Sequence, residues 1–282
     1  MSEQGAVAHL AYDWMVVTYF FFGGLSVGAY MFSVAANYWK QEFKPLAKRG
    51  AVLSLIALAI GMLILLHDLG QPFRAWRLFL SFNPHSVVSW GVWFLNAFIF
   101  FNFIYNVLLF TGKEANAQKF AYAGLPFAIL TATYTGMLLA QAPSRVLWHT
   151  ALMPVLFMNG ALISGIALVM LFSAKAQNSE LLSKLGRFVA WLIILELIMI
   201  LGEFILLLNG GTEHVAVAKG LLSGQVGYLF IGVEIILGAV IPAAILLRSK
   251  ASVFTQALAS LLILIGIFAM RYVIVVGGQL TS

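Results

Sequence analysis

Cysteine is absent from all 282 residues. The sequence can therefore hold no iron–sulfur cluster of its own, no structural disulfide and no thiol nucleophile. Charge is scarce too: 9% of residues are charged against 62% hydrophobic, and mean hydropathy is +0.98. A water-soluble domain of this size needs far more charge to cover its surface. Long unbroken apolar runs, not short alternating segments, argue against a membrane β-barrel and leave helices. No P-loop and no His-Glu-x-x-His cluster occurs, so no metal site is expected. None of the five histidines (His9, His67, His85, His149, His214) falls at membrane depth. A di-haem cytochrome needs facing histidines inside its bundle, so no haem is expected. The net charge of +6 is of the kind that fixes membrane topology, not one that points to nucleic acid. The opening MSEQGAVAHL lacks the basic region of a cleaved signal peptide, so the first helix is expected to stay.

The composition thus defines an all-α, polytopic integral membrane protein, read as one membrane domain over 1–282. Apolar runs measured against a bilayer core of roughly 30 Å, about 20 helical residues, give eight spans: 14–37, 51–69, 87–110, 120–141, 150–173, 188–209, 222–247 and 252–277. Short links make neighbours antiparallel. One set of links carries Lys40, Lys44, Lys48, Arg49, Lys113, Lys119, Lys175, Lys184, Arg187, Arg248 and Lys250; the other carries Arg74, Arg77, Arg145 and Lys219. The positive-inside rule places the first set in the cytoplasm. Both termini are then expected outside, periplasmic if this is a bacterial inner membrane. All five histidines, with Trp14, Trp76, Trp90 and Trp148, fall on or near that outer face, where tryptophan is ordinarily a belt residue.

Gly23-Gly24-Leu25-Ser26-Val27-Gly28 in the first span has a weak echo in Asn159-Gly160-Ala161-Leu162-Ile163-Ser164-Gly165 of the fifth. A parallel duplication of 14–141 as 150–277, giving two four-helix bundles, would produce this. So would small residues placed for close helix approach.

Two stretches are more specific. One runs His67-Asp68-Leu69-Gly70-Gln71-Pro72-Phe73-Arg74-Ala75-Trp76-Arg77-Leu78, then Ser81-Phe82-Asn83-Pro84-His85-Ser86 and Ser89-Trp90-Gly91. The other has Tyr134-Thr135-Gly136-Met137-Leu138-Leu139, Arg145-Val146-Leu147-Trp148-His149 and Leu152-Met153-Pro154. With the glycine-rich first span and Arg271-Tyr272-Val273, these resemble the NrfD / polysulfide reductase membrane-subunit family across essentially the whole sequence. The resemblance implies a haem-free membrane anchor that exchanges electrons between menaquinone or ubiquinone and a four-cluster, ferredoxin-like iron–sulfur subunit on the outer face. A catalytic subunit, usually a molybdopterin protein, lies beyond it.

A quinone site needs hydrogen-bonding groups for two oxygens and a proton acceptor, set in a mostly apolar slot. Asp68 and His67, ending the second span, are the expected proton-handling residues; Asp68 could instead simply pair with Arg74, Arg77 or Arg271. By similarity Tyr19 stands where the family places a quinone-binding histidine, and Tyr134 where it places a quinone-contacting tyrosine. Tyr19 as a belt residue and Tyr134 as a packed core residue are the plain alternatives. Arg74, Arg145, Trp148 and His149 either join the pocket or grip the partner. Asn83, Pro84 and His85 read as turn residues. Glu196 and Glu203 lie seven residues apart on one face of the sixth span, and Glu234 sits mid-way along the seventh. With Arg271 they could relay protons between the quinone and the cytoplasm, or serve as neutral or paired groups between helices. Lacking a redox centre, the protein must hold quinone close to its partner's cluster, hence at the outer end. Two other readings stay open: a proton-coupled secondary transporter, although Pro242 is poorly placed for a midplane helix break, and a purely structural anchor.

Overall fold

The computed structural model describes residues 12–68, 82–174, 179–248 and 252–280. They form helices and turns, with no strand among the described residues. Eight helices are long and apolar enough to cross a bilayer: α1 (Trp14–Tyr38), α2 (Lys44–Asp68), α3 (Val87–Phe110), α4 (Glu114–Ala140), α5 (Met153–Ser173), α6 (Ser179–Leu208), α7 (Gly224–Leu247) and α8 (Val253–Leu280).

Local chemistry sets several ends. Asp13 caps α1 by accepting from the backbone N–H groups of Met15 (2.8 Å) and Val16 (3.4 Å). Ser252 caps α8 through Thr255 N–H at 3.2 Å. Gly112 closes α3 at φ +74°, a left-handed turn that a side chain resists. Asn83 accepts from His85 N–H (3.0 Å) and Pro84 O from the Trp90 indole (3.0 Å), so Asn83, Pro84 and His85 form the turn that launches α3.

Four features depart from the spans read in the sequence. α2, α4 and α6 begin several residues earlier than expected, because basic and polar first turns such as Lys44–Gly50 are helical yet too polar to register in an apolar run. A short helix, Thr212–Leu221, fills the link before α7. Within α7, Tyr228–Val240 is wound as a π-helix, with Ile241 N–H reaching back to Ile236 O. Pro242, which has no N–H to donate, follows directly and begins the last α-helical turns. α8 also carries a π segment, Val273–Gly277.

Both ends of the described polypeptide lie on one face: Tyr12 N–H donates to Gln279 Oε1 (3.2 Å) and Gln279 Nε2 to Tyr12 O (2.8 Å). At the opposite face Trp39 stacks on Tyr122, and Lys184 meets Glu42 at 3.6 Å. Helices α1–α4 form a first group and α5–α8 a second, with α5 packed on α1, α4 and α2 as well as on α6 and α8. The groups meet chiefly along α1 and α5, which run parallel. Phe20 lies edge-on to Phe157 at 6.0 Å. Gly24 faces Ala161, and Gly28 faces Gly165 so closely that a Cβ on Gly28 would run into the Ala161 carbonyl. Every one of these pairs joins residues 137 positions apart. Such self-matching contacts describe a local two-fold axis along the seam.

Candidate functional site: a cavity at the face of the termini

A cavity of about 280 Å³ opens within the first four-helix group, toward the face that carries both termini. Small-molecule sites span roughly 300–1,000 Å³, so a ring-sized headgroup fits and a long tail must lie outside. Its walls come from all four helices and are mainly apolar: Phe20, Leu58, Met62, Val92, Leu95 and Leu138 among them. The polar groups are few. Tyr19 reaches it from α1, Asp68 from the end of α2, Tyr134 from α4, and Tyr12 from just before α1. Thr131 and Thr135 also line it, but their hydroxyls donate to their own helix, at Phe127 O (2.7 Å) and Ala132 O (2.8 Å). Neither Tyr19 nor Tyr134 bonds through its hydroxyl to another described residue, so both are free for a ligand.

Backbone geometry holds these side chains in place. The Tyr134 ring lies directly over Gly91 of α3, where any Cβ would collide with it. Tyr19 packs edge-on against Phe20 at 4.9 Å. Tyr12 is tied to α8 through Gln279 and tilts against Trp148 at 5.8 Å. Asp68 is exposed at the cavity mouth. Of the four seams in this group, the one between α2 and α3 is the least packed.

The structure therefore brings Tyr19, Asp68 and Tyr134 to one cavity and sorts the other expected residues away from it. His67 is exposed beside Asp68 and does not line the cavity. Arg74 lies outside the described residues, as do Trp76 and Arg77. Arg145, Trp148 and His149 are also off the cavity and secure the link between α4 and α5. Arg145 donates to Gln279 O (3.1 Å), and His149 Nδ1 pairs with Ala140 O (3.0 Å). Trp148 is no belt residue: it is buried, and its indole donates to Ile274 O at 2.6 Å in the π segment of α8. Gly278 gives its ring the room it needs. The second group holds Glu196, Glu234 and Arg271, all buried, and Glu203, which is partly buried. No ion pair joins Arg271 to Glu203 or Asp68 among the described residues. Arg271 donates to Phe157 O (3.2 Å) and lies over the Phe157 ring at 3.9 Å.

Sequence reasoning missed two kinds of residue. Tyr12, in the cavity wall, precedes the first apolar run and carried no periodic signal. Beneath the cavity a buried hydrogen-bonded column continues toward the opposite face. Ser26 meets Ser54 (3.3 Å), Asn102 donates to Ser54 (2.8 Å), and Asn106 donates to Asn102 (3.0 Å). Ser33 meets Tyr105 at 2.9 Å. Asn102 and Asn106, four apart inside an otherwise apolar span, were the available signal. Such contacts join membrane helices by roughly 0.6–2 kcal/mol each.

Eight apolar helices, four of them walling a tyrosine-lipped cavity, define a multi-pass membrane protein. The protein belongs to the polysulphide reductase NrfD family, whose model matches residues 3–282. It is similar to the C subunit of the selenate reductase of Mesobacillus selenatarsenatis, at 25% identity over 98% of this protein and 76% of that one. It is similar to the C component of the polysulfide reductase of Wolinella succinogenes, at 28% over 96% and 95%. A third relative is the Hdr-like menaquinol oxidoreductase integral membrane subunit of Archaeoglobus fulgidus, at 27% over 92% and 68%. The protein is accordingly a membrane subunit of an oxidoreductase.

Proposed function

We propose that this protein is the haem-free subunit through which a respiratory complex oxidises quinol, or in reverse reduces quinone, at the cavity walled by Tyr12, Tyr19, Asp68 and Tyr134. The carrying observation is that residues from four separate helices, two phenols and a carboxylate among them, converge on one apolar, ring-sized space at a single end of the bundle. A quinol has two hydroxyls, about a ring apart, and needs a partner for each; phenolic hydroxyls can accept from both, and later donate to the two carbonyls of the quinone. Oxidation removes two protons with two electrons. Asp68, at the mouth, takes the two protons from the slot in turn and passes each to water on the same face. The electrons leave to an iron–sulfur subunit seated on that face, with a molybdopterin catalytic subunit beyond it. The lysine and arginine distribution favours that face as the outer one, periplasmic in a bacterial inner membrane. The name of the Archaeoglobus fulgidus relative favours menaquinol as the substrate.

The test is Asp68→Asn in the assembled complex. Quinol-analogue oxidation should fall by roughly 10²-fold, the usual worth of a positioned acid or base, while the subunits still copurify. A normal rate would remove Asp68 from the reaction. Copurified iron–sulfur subunit without bound quinone would favour a purely structural anchor.

A further inference from the structure

Helices α5–α8 hold four ionisable groups that the cavity chemistry does not use. Glu196 and Glu234 are 4% and 6% exposed, and each keeps one carboxyl oxygen without a hydrogen-bond partner. One oxygen of Glu203 and two nitrogens of Arg271 (Nε and Nη1) are likewise buried and unpartnered. In a membrane interior such groups must be satisfied, by protein or by water.

The spaces beside them are the size of water. Glu203 and Glu234 share a cavity of about 40 Å³, closed on one side by Leu147 of the link before α5. Glu234 and Glu196 share another of about 10 Å³. One water needs roughly 10–15 Å³, so the first cavity accommodates about three and the second about one. Glu196 faces Arg271 without forming a direct ion pair. The other side of Arg271 touches the seam: its guanidinium would lie 3.0 Å from a Cβ on Gly24, next to Gly23 in the wall of the large cavity.

Direction follows from position. Glu203 is five residues from the end of α6 on the face of the termini, and Glu196 lies two turns deeper. Below Glu196, Asn159 spends its amide on Leu192 O (3.1 Å) and Ser164 its hydroxyl on Gly160 O (2.7 Å), and the other buried side chains there, Ile193, Ala190 and Ile263, are apolar. Ser260, further on, spends its hydroxyl on Gln256 O at 2.9 Å. The carboxyls run from mid-depth toward the face of the termini, which favours that direction over the cytoplasmic one considered from the sequence. Gly61-Met62 and Ile64-Leu65-Leu66 of α2 recur as Gly202-Glu203 and Ile205-Leu206-Leu207 of α6. Met62 lines the large cavity where Glu203 lines the small one.

We propose that Glu203, Glu234, Glu196 and Arg271 line a hydrated proton path through α5–α8, running from the back wall of the large cavity to the face of the termini. A proton passes along it by successive transfer between carboxyl groups and water, with no net change in the path. Arg271 is a positioning residue, holding the deep end against the seam. The link to the cavity rests on the quinol reading; the path itself does not.

The experiment is infrared spectroscopy of the full-length protein during an H₂O to D₂O switch, with no quinone or partner added. Glu196→Gln and Glu234→Gln identify the two side-chain bands. In the wild type both bands should exchange as fast as solvent mixes. Glu203→Leu, which dries the outer cavity, should slow both by about tenfold or more, equivalent to a barrier about 1.4 kcal/mol higher. Leu147→Trp, which fills the mouth and leaves every carboxyl in place, should do the same and guards against misfolding of the first variant. Bands inert to D₂O in the wild type, or exchange at the wild-type rate in both variants, would overturn the path. Normal exchange in a protein whose complex does not oxidise quinol would sink the quinol reading and leave the path standing.

Discussion

Helices α1–α4 and α5–α8 meet across matching residues, yet their interiors are polar in opposite ways. In the first group most of the buried polar side chains pair with one another: Ser26 with Ser54, Ser54 with Asn102, Asn102 with Asn106, Ser33 with Tyr105, although Asn106 Oδ1 accepts from no described donor. Above this column sits a cavity large enough for a ring. In the second group Glu196, Glu234 and Arg271 keep buried polar atoms without partners, and the spaces beside them admit only water. Satisfied neutral groups lock helices together and keep a floor under a slot. Unsatisfied ionisable groups hold solvent inside the bilayer. The two groups thus favour the two roles proposed for them, binding a lipid-soluble molecule and moving protons.

Substitutions at the seam should disturb both halves most. In Gly28→Leu the new side chain meets the Ala161 carbonyl and the Gly165 backbone, neither of which can move aside. No folded, monodisperse protein should be recovered by size-exclusion chromatography. Next comes Gly91→Ala, which pushes the Tyr134 ring out of its seat. Quinol oxidation should fall by roughly 10²-fold with little loss of assembly, as expected for a misplaced reacting group. Tyr134→Phe removes one hydrogen bond and keeps the ring. The expected loss is roughly tenfold in kcat/KM, about 1.4 kcal/mol. Asn102→Leu breaks the column while leaving the cavity wall intact. It should lower thermal stability by roughly 1–2 kcal/mol and leave kcat/KM unchanged. Least of all, Gly202→Ala on α6 meets nothing within 4 Å, so its melting temperature should match the wild type. A large effect there would mean that the second group is packed differently from this structure.

Much of the architecture was legible because a bilayer imposes a simple rule on length and apolarity. Val87–Phe110 was read to the residue, and the two termini share a face as an even number of spans requires. The early starts of α2, α4 and α6 were not legible, since Lys44, Glu114 and Glu180 belong to helical turns outside the apolar window. Nor were the π segments, which depend on where backbone donors find acceptors: Pro242 hints at one, and nothing local marks Val273–Gly277. Within the site, Asp68 stood out as an acid ending an apolar span, while Tyr19 and Tyr134 came from the resemblance to the family. Trp148 stood out too, yet its indole belongs to Ile274 O, a partner 126 positions away.

Composition and apolar run length by themselves determined that this is an eight-span membrane protein, since only a helix satisfies its own backbone inside lipid. Charge in the links gave its expected orientation. Tertiary packing alone decided which polar residues share a space. Side chains from α1, α2 and α4 reach one cavity, and Gly91 of α3 leaves the Tyr134 ring its place there, as Gly28 and Gly165 let α1 and α5 touch. Close approach of this kind is a relation between distant residues, and no window along the sequence contains it.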